Sequence, residues 1–243
     1  MIKFTGIIAE YNPFHNGHKH QIEHLRSLGT EVIAVAMSGD FVQRGAPAWT
    51  DKYTRTQMAL SQGADLVFEL PTVYTLSSAE HFAFGGISLL NALHMDSVCF
   101  GCETPSLPLL DSAAELLQKE PNDYRQTLQQ HLKSGASYPA AREAALRQSM
   151  PELPPDFLSG ANNILALEYL KALRSTHSTM TPVPILRTDS GYHSTELSGG
   201  TFSSASAIRF SYKDTDSLND ISQALPEEIM ALLKKRSGHL GMD

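Results

Sequence analysis

The sequence predicts an α/β fold built on a doubly wound parallel sheet. Over the first hundred residues, short runs that are apolar throughout alternate with amphipathic segments. Strands that are buried on both faces are typical of parallel sheets covered by helices. Polar loops rich in Gly, Asn and Pro follow the first apolar runs, at the strand ends where such sheets place their ligands.

The first hundred residues contain four predicted strands with helices between them. The helices are predicted from apolar residues three and four positions apart. Gly29 should end the first helix, and Asp51 should cap the second with its side chain. The predicted strands are Ile2–Ala9, Glu31–Met37, Asp65–Leu70 and Asp96–Gly101, and the predicted helices are His18–Leu28, Asp51–Gln62 and Ser78–His94.

The pattern then turns helical over residues 106–175 before a fifth strand follows. We expect a short helix near Ser203 and two more over Leu218–Arg236. No internal repeat or linker divides the sequence, so residues 1–243 are expected to form a single domain with helical insertions. The helices predicted in the insertion are Leu107–Lys119, Asp123–Lys133, Pro139–Gln148 and Ala161–Arg174, and the fifth strand is Val183–Leu186.

Composition and charge narrow the class of protein. Apolar residues make up 42% of the 243 residues and charged residues 19%, which is typical of a globular chain. We see no run of about 18 apolar residues and no basic leader at the N-terminus, so we expect a cytoplasmic protein with no membrane partner. The formal net charge is −7, whereas surfaces that bind nucleic acids are usually basic.

Any contact with RNA would therefore depend on a local basic patch. Charged residues on helices usually form solvated faces rather than binding surfaces. The side chains that would supply the patch are Lys52, Arg55, Lys133, Arg142 and Arg147.

The sequence offers little support for a dedicated metal or redox site. Cys99 and Cys102 form a C-x-x-C pair, but a zinc site needs a second pair of ligands and none has matching spacing. His20 and His24 are four positions apart, yet no third ligand is evident. We therefore expect no resident metal and a reduced, non-redox pair of thiols.

The segment Gly6–Ile22, GIIAEYNPFHNGHKHQI, predicts an anion site. His15 and His18 are three positions apart where a buried strand gives way to a helix, so their rings share a face. The start of a helix supplies unpaired backbone N–H groups and a positive dipole end. Asn16 and Gly17 allow the backbone to turn sharply and approach a ligand. Two imidazoles and several amides are therefore expected around a phosphate.

The sequence lacks two common phosphate-binding motifs. The Gly-x-x-x-x-Gly-Lys-Ser/Thr string is missing, and no Gly-x-Gly-x-x-Gly follows a strand. A nucleotide would have to be held by the HNGH segment.

The H-x-G-H string resembles the signature of the nucleotidyltransferase superfamily, and the longer EYNPFHNGH is similar to the bacterial tRNA(Met) cytidine acetate ligase family. The resemblance extends over nearly the whole chain. Its further segments are SGDFVQRGAPA (Ser38–Ala48), DKYTRTQMALSQGADLVFELP (Asp51–Pro71), SAEHFAFGG (Ser78–Gly86), FGCE (Phe100–Glu103), NNILALEYL (Asn162–Leu170), LRTDSGYHS (Leu186–Ser194) and SSASAIR (Ser203–Arg209).

The resemblance implies a Rossmann-like nucleotidyltransferase (HUP-type) fold with additional helices. It also implies a reaction in two steps. Acetate attacks the α-phosphate of ATP, which arrives with Mg²⁺, and pyrophosphate leaves. The acetyl-adenylate then passes its acetyl group to N4 of the wobble cytidine of elongator tRNA(Met).

Candidate roles follow for individual residues. His15 and His18 are expected to contact the ATP phosphates, Lys19 and Arg209 to add positive charge, and Asp40 to order substrate or Mg²⁺. The strand-to-helix segment is expected to line the nucleotide, largely through its backbone. Its residues are Ile7, Ile8, Ala9, Glu10, Tyr11, Asn12, Pro13, Phe14, His15, Asn16, Gly17, His18, Lys19 and His20.

Further nucleotide contacts are expected from later segments. Gly101 ends a strand and permits close backbone approach, and a serine-rich helix start followed by a basic residue suits phosphate oxygens. Asn162 or Asn163 is expected to cap a helix, and the resemblance favours Asn162 as a nucleotide contact. The set is Gly101, Asn162, Arg187, Thr188, Ser203, Ser204 and Arg209.

Two alternatives remain open from the sequence. The HNGH segment also fits a small-molecule adenylyltransferase, and a non-catalytic nucleotide-binding module fits as well. Members of the tRNA(Met) cytidine acetate ligase family are longer than 243 residues, and their additional helical segment is implicated in holding tRNA. We expect that C-terminal part to be missing here.

Overall fold

The computed structural model describes residues 3–43, 45–155, 157–187 and 202–236. Five parallel strands form one sheet in the order β3-β2-β1-β4-β5, so the predicted doubly wound α/β fold is confirmed. The strands are β1 Phe4–Ala9, β2 Val32–Ser38, β3 Leu66–Leu70, β4 Ser97–Cys102 and β5 Thr181–Leu186.

The helices cover both faces of this sheet. The helices are α1 Asn16–Ser27, α2 Lys52–Ser61, α3 Thr72–Thr75, α4 Ala79–Ala92, α5 Leu107–Lys119, α6 Asn122–Lys133, α7 Tyr138–Ser149, α8 Ala161–Ser175, α9 Ala205–Thr215 and α10 Glu227–Arg236, with a 3₁₀ turn at Ser222–Ala224 before the last.

The strands are largely apolar because the central ones contribute to two cores. Successive side chains of a strand point to opposite faces. Ile8 and Phe100 therefore pack with helices α4, α5 and α8 on one face, and Ile7 and Val35 with α1, α2, α9 and α10 on the other. The central strands β1, β2 and β4 are more deeply buried than β3 and β5, which lie at the sheet edges.

Most predicted elements begin and end within two residues of their observed bounds. Asp51 caps α2 as predicted, because its carboxylate accepts a bond from the Thr54 N–H at 2.9 Å. Gly29 follows α1 with a φ of +84°, the left-handed conformation that glycine adopts easily. The short helix α3 was not predicted; it follows Pro71 and has only four residues.

The two cysteines lie on opposite faces of β4. Cys99 packs into the core beneath α1, and Cys102 into the core beneath α8. Three residues of strand separate their Cα atoms by roughly 10 Å, beyond the reach of about 7 Å for a disulfide. Burial raises the pKa of both thiols to about 12.

The described residues lack two features, a membrane-spanning helix and a cluster of metal ligands. None of the described helices is long and apolar enough to cross a membrane. Within the same ranges, no group of three or more His, Cys, Asp or Glu side chains is placed to hold a metal ion.

Candidate functional site

A cavity of about 360 Å³ lies at the carboxyl ends of β1, β4 and β5, where α1, α8 and α9 begin. A doubly wound sheet places its ligands at this edge because the loops diverge there. Many of the residues predicted for the site line it. They are Ile8, Ala9, Glu10, Tyr11, Asn12, His15, His18, Gly101, Asn162, Arg187, Ser204 and Arg209.

His15 is the capping residue just before α1, and His18 lies in the first turn of that helix, so the two rings lie side by side. Nδ1 of His15 accepts a bond from the Gly17 N–H at 3.1 Å, and Nδ1 of His18 accepts one from the His15 N–H at 3.2 Å. The two imidazoles thus form a reciprocal cap. Their rings stack with centroids 3.7 Å apart.

This cap determines which nitrogen of each ring carries the proton. Because each Nδ1 is an acceptor, the proton of each neutral imidazole lies on Nε2. Burial, followed by the nearby His15 and Arg187, lowers the pKa of His18 well below its ordinary value. His18 is therefore a neutral N–H donor near pH 7.

The segment between β1 and α1 is held from within. Tyr11 has a φ of +48° and is almost fully buried, packing edge-on against His18 with ring centroids 4.8 Å apart. Asn12 accepts a bond from the Trp49 N–H at 2.7 Å. This bond ties the loop that carries the histidines to the loop that follows β2.

Arg55 organises the same region and was not predicted to do so. Its guanidinium is fully buried and donates to the carbonyl oxygens of Glu10 at 2.7 Å and Ser38 at 3.1 Å. It also donates to the carbonyls of Thr50 and Gly39. The prediction that Arg55 belongs to a surface basic patch is wrong, because the carbonyl ends of β1 and β2 enclose it.

A second wall forms where β4 meets α8. The Glu103 carboxylate accepts bonds from the backbone N–H of Asn162 and Asn163 and from Nδ2 of Asn162. Nη1 of Arg187 donates to Oδ1 of Asn162 at 3.0 Å. A Cβ at Gly101 would lie 2.9 Å from Cγ of Arg187, so glycine is needed for this arginine to cross the strand end.

Asn163 is the structural member of the asparagine pair. Its side chain is buried, and its Oδ1 accepts the N–H groups of Glu103 and Thr104 at 3.0 and 3.1 Å. Asn162 faces the cavity instead. The residue pattern alone could not separate the two roles, although the resemblance favoured Asn162 as the nucleotide contact.

Helix α9 closes the cavity on the remaining side. Ser204 caps it by accepting the Ala207 N–H at 3.1 Å. Arg209 donates to the carbonyl oxygen of Asn12 and to Oγ of Ser206. This places a guanidinium between α9 and the loop before α1.

Some predicted residues lie away from the main cavity. Gly17 and His20 line a smaller cavity of about 50 Å³ that shares His15, His18 and Arg187 with it. Nζ of Lys19 lies 4.0 Å from Oε1 of Glu23, and Oδ2 of Asp40 lies 3.7 Å from Nζ of Lys52. Thr188 lies outside the described residues. The others that do not line the main cavity are Ile7, Pro13, Phe14, Asn16 and Ser203.

Several lining residues were missed in the sequence. They include Gln43 after β2, Phe82 on α4 and Phe100 on β4, together with Leu165 and Tyr169 on α8. Helical spacing offered one signal, since Leu165 and Tyr169 follow Asn162 by three and seven positions and share its face.

Comparison with known proteins identifies the family. The model of the HIGH nucleotidyl transferases matches residues 2–241. The chain belongs to this family. Its H-x-G-H segment is the HNGH at the start of α1.

Two curated relatives show which HIGH nucleotidyl transferases the chain resembles. It is 45% identical to a tRNA(Met) cytidine acetate ligase from Clostridium kluyveri, over 97% of this chain and 60% of the relative. It is 43% identical to one from Acetivibrio thermocellus, over 96% and 57%. The resemblance seen in the sequence is confirmed, and the chain spans about three fifths of these relatives.

Two solved structures agree with the fold. Thermotoga maritima TmcAL in its apo form I superposes with a TM-score of 0.89 at 34% identity, over 98% of this chain and 57% of that one. The form II structure bound with alpha-thio ATP gives a TM-score of 0.85, covering 98% and 56%.

Proposed function

We propose that this chain carries the ATP-dependent activation step of a tRNA(Met) cytidine acetate ligase. The observation that carries the proposal is the stacked pair of Nε2–H imidazoles on a cavity that also holds two guanidinium groups, from Arg187 and Arg209. The relatives named above support the substrate, and the alpha-thio ATP of the Thermotoga protein supports the nucleotide.

The proposed first step joins acetate to AMP. A carboxylate oxygen of acetate attacks the α-phosphorus of ATP, the bond to the β-phosphate bridging oxygen breaks, and pyrophosphate leaves with the electron pair. Mg²⁺ enters with the ATP phosphates. Fixed donors stabilise charge that develops in such a transition state, so His15 and His18 act as neutral hydrogen-bond donors while Arg187 and Arg209 supply positive charge.

The remaining predicted residues take supporting roles in this proposal. Gly101, Asn162 and the cavity-lining residues between Ile8 and His18 contact the nucleotide, and Asn162 also positions Arg187. Ser203, Ser204 and Thr188 contact phosphate or ribose, Lys19 adds charge, and Asp40 orders substrate.

Transfer to elongator tRNA(Met) is the second proposed step. Lys133 and Arg147 are exposed and remain candidates for contact with RNA, whereas Arg142 is turned toward Glu168 at 3.1 Å. We also propose that residues 1–243 act as one catalytic domain and that the protein works in the cytoplasm.

A direct assay tests the activation step. The purified chain, supplied with labelled acetate and ATP, should form acetyl-AMP and pyrophosphate. His18→Asn should lower that rate by about 100-fold, on the scale of removing one transition-state donor. His24→Asn, on the same helix but outside the cavity, is the matched control.

Three results would contradict the proposal. One is the absence of both products when ATP is demonstrably bound, as expected for a non-catalytic module. Another is a different adenylylated product, identified by mass spectrometry, as expected for a small-molecule adenylyltransferase. The third is equal loss of activity in His24→Asn.

A further inference from the structure

Glu10 lies on the cavity wall, and the activation step described above makes no use of its carboxylate. Among the described residues that line the cavity it is the only carboxylate. The Gln43 N–H donates to its Oε1 at 2.7 Å, and Arg55 donates to its backbone carbonyl at 2.7 Å. Its main chain and its side chain are therefore both held on the β2 side of the cavity.

Part of the cavity wall is aromatic. Phe82, Phe100 and Tyr169 line it, and the rings of Phe100 and Tyr169 lie 5.7 Å apart at 45°. Flat apolar surfaces of this kind stack on unpaired nucleobases. Burial and the nearby charge of Glu10 raise the pKa of Tyr169, so its hydroxyl stays protonated.

Glu10 and Arg187 lie at different strand ends of the cavity. Arg187 follows β5, whereas Glu10 is fixed toward β2, on the other side of β1 and β4 in the strand order. A carboxylate repels phosphate oxygens, so the Glu10 side does not suit the triphosphate. It suits a group that presents N–H donors, such as the N4 amino group of cytosine, for which carboxylates are established acceptors.

The other titratable groups on the wall are poor proton acceptors. The Nδ1 atoms of His15 and His18 each accept a backbone N–H, and the ring protons lie on Nε2. Tyr11 and Tyr169 are protonated phenols because burial raises the pKa of each. Glu10 is left as the group that can take a proton without losing a helix cap.

We propose that Glu10 is a further catalytic residue, the general base of acetyl transfer. This inference rests on the function proposed above. The acceptor nitrogen attacks the carbonyl carbon of acetyl-adenylate, and the bond between that carbon and the phosphate oxygen breaks. AMP leaves with the electron pair, and the proton lost by the nitrogen passes to the Glu10 carboxylate. A carboxylate has about four acceptor positions, so the bond from Gln43 is compatible with this role.

The test separates activation from transfer. Hydroxylamine traps acetyl-adenylate as acetohydroxamate without an enzymic base, whereas acetylation of an elongator tRNA(Met) transcript needs the base. In Glu10→Gln, acetohydroxamate formation should fall by less than about tenfold, because trapping by hydroxylamine needs no enzymic base. Single-turnover transfer to tRNA should fall by about 100-fold, as for loss of a general base.

Two further variants sharpen the result. Glu10→Asp restores a carboxylate and should transfer at least about tenfold faster than Glu10→Gln, on the scale of general-base effects. Glu152→Gln removes an exposed carboxylate outside the cavity and should match wild type in both assays.

Distinct outcomes overturn distinct claims. Equal transfer by wild type and Glu10→Gln overturns the inference. So does ATP binding that is about tenfold weaker in Glu10→Gln than in wild type, which would assign Glu10 to the adenine amino group. Parallel loss of both activities in Glu10→Gln overturns the inference in favour of a structural role. A wild-type chain that makes acetohydroxamate but acetylates no tRNA also overturns it, because this chain then carries no transfer step. A wild-type chain that makes no acetohydroxamate refutes the proposed function itself.

Discussion

At the scale of single residues, the two histidines of HNGH show how a helix cap selects a tautomer. The spacing of His15 and His18 predicted a shared face, and the structure places their rings in stacking contact. The spacing did not indicate that each Nδ1 accepts a backbone bond. Those bonds make the pair a set of neutral donors rather than a cationic clamp.

The lowered pKa of His18 gives a prediction about stability. Below about pH 6.5, the ordinary histidine pKa, the unfolded chain binds a proton at His18 that the folded chain does not. The free energy of unfolding should therefore fall as pH decreases below 6.5, by at most about 1.4 kcal/mol per pH unit from this group. Above that pH its contribution is constant.

Urea unfolding between pH 5.5 and 7.5 measures this dependence. His18→Asn removes the titrating ring and should give a shallower fall than wild type, with His24→Asn, on the same helix, as the control. Identical slopes in all three proteins would show that His18 takes up its proton in the folded state.

Arg55 and Glu103 mark the limit of sequence reasoning at this scale. An arginine on an amphipathic helix resembles a surface charge, and only the fold shows that carbonyls from three separate segments surround it. The part that Glu103 plays depends on the start of a helix 59 residues further along the chain.

At the scale of elements, most helices and strands were predictable because local signals and burial agree. Strands apolar throughout and helices with a clear apolar stripe gave bounds close to those observed. The exception is α3, whose four residues are too few for a helical period to be visible. Cavity walls built by distant elements, such as Phe82 on α4, had no local signal.

The start of α8 gives a prediction at this scale. Gly160 offers no side-chain cap, and the Glu103 carboxylate takes that role from the end of β4. Glu103→Gln should lower the free energy of unfolding by about 1 kcal/mol, as for loss of a helix cap. It should also raise the KM for ATP, because Asn162 and Arg187 are aligned through this carboxylate.

Chemical denaturation and steady-state kinetics check the two effects. Glu152→Gln, which changes an exposed side chain, should shift stability by less than about 0.5 kcal/mol. A Glu103→Gln protein with wild-type stability and wild-type KM would show that α8 begins without this cap.

At the scale of the whole molecule, the parallel sheet brings distant segments of sequence to one edge. The alternation of strands and helices predicted a doubly wound parallel sheet but not its strand order, which is β3-β2-β1-β4-β5. The wall residues contributed by α8 and α9 depend on how residues 107–175 and 202–236 pack back onto the strands, which no short motif encodes. The single-domain organisation stays a prediction.

A cavity built from so many elements should link nucleotide binding to global stability. At an ATP concentration about 100-fold above Kd, the folded state gains about 2.7 kcal/mol, equivalent to a rise in Tm of roughly 5–10 °C for a chain of this size. Arg187→Gln should reduce that rise. Differential scanning fluorimetry with Mg-ATP measures both values, and an undiminished rise in Arg187→Gln would exclude this arginine from the nucleotide site.

The placement of the cysteines has a practical consequence. The sequence contains only two, each is buried against a different face of β4, and the raised pKa keeps both as unreactive thiols near pH 7. Alkylating reagents should therefore modify the native chain slowly and the denatured chain at once. Following the two adducts separately by peptide mapping would report whether the layers on either side of the sheet open together or one before the other.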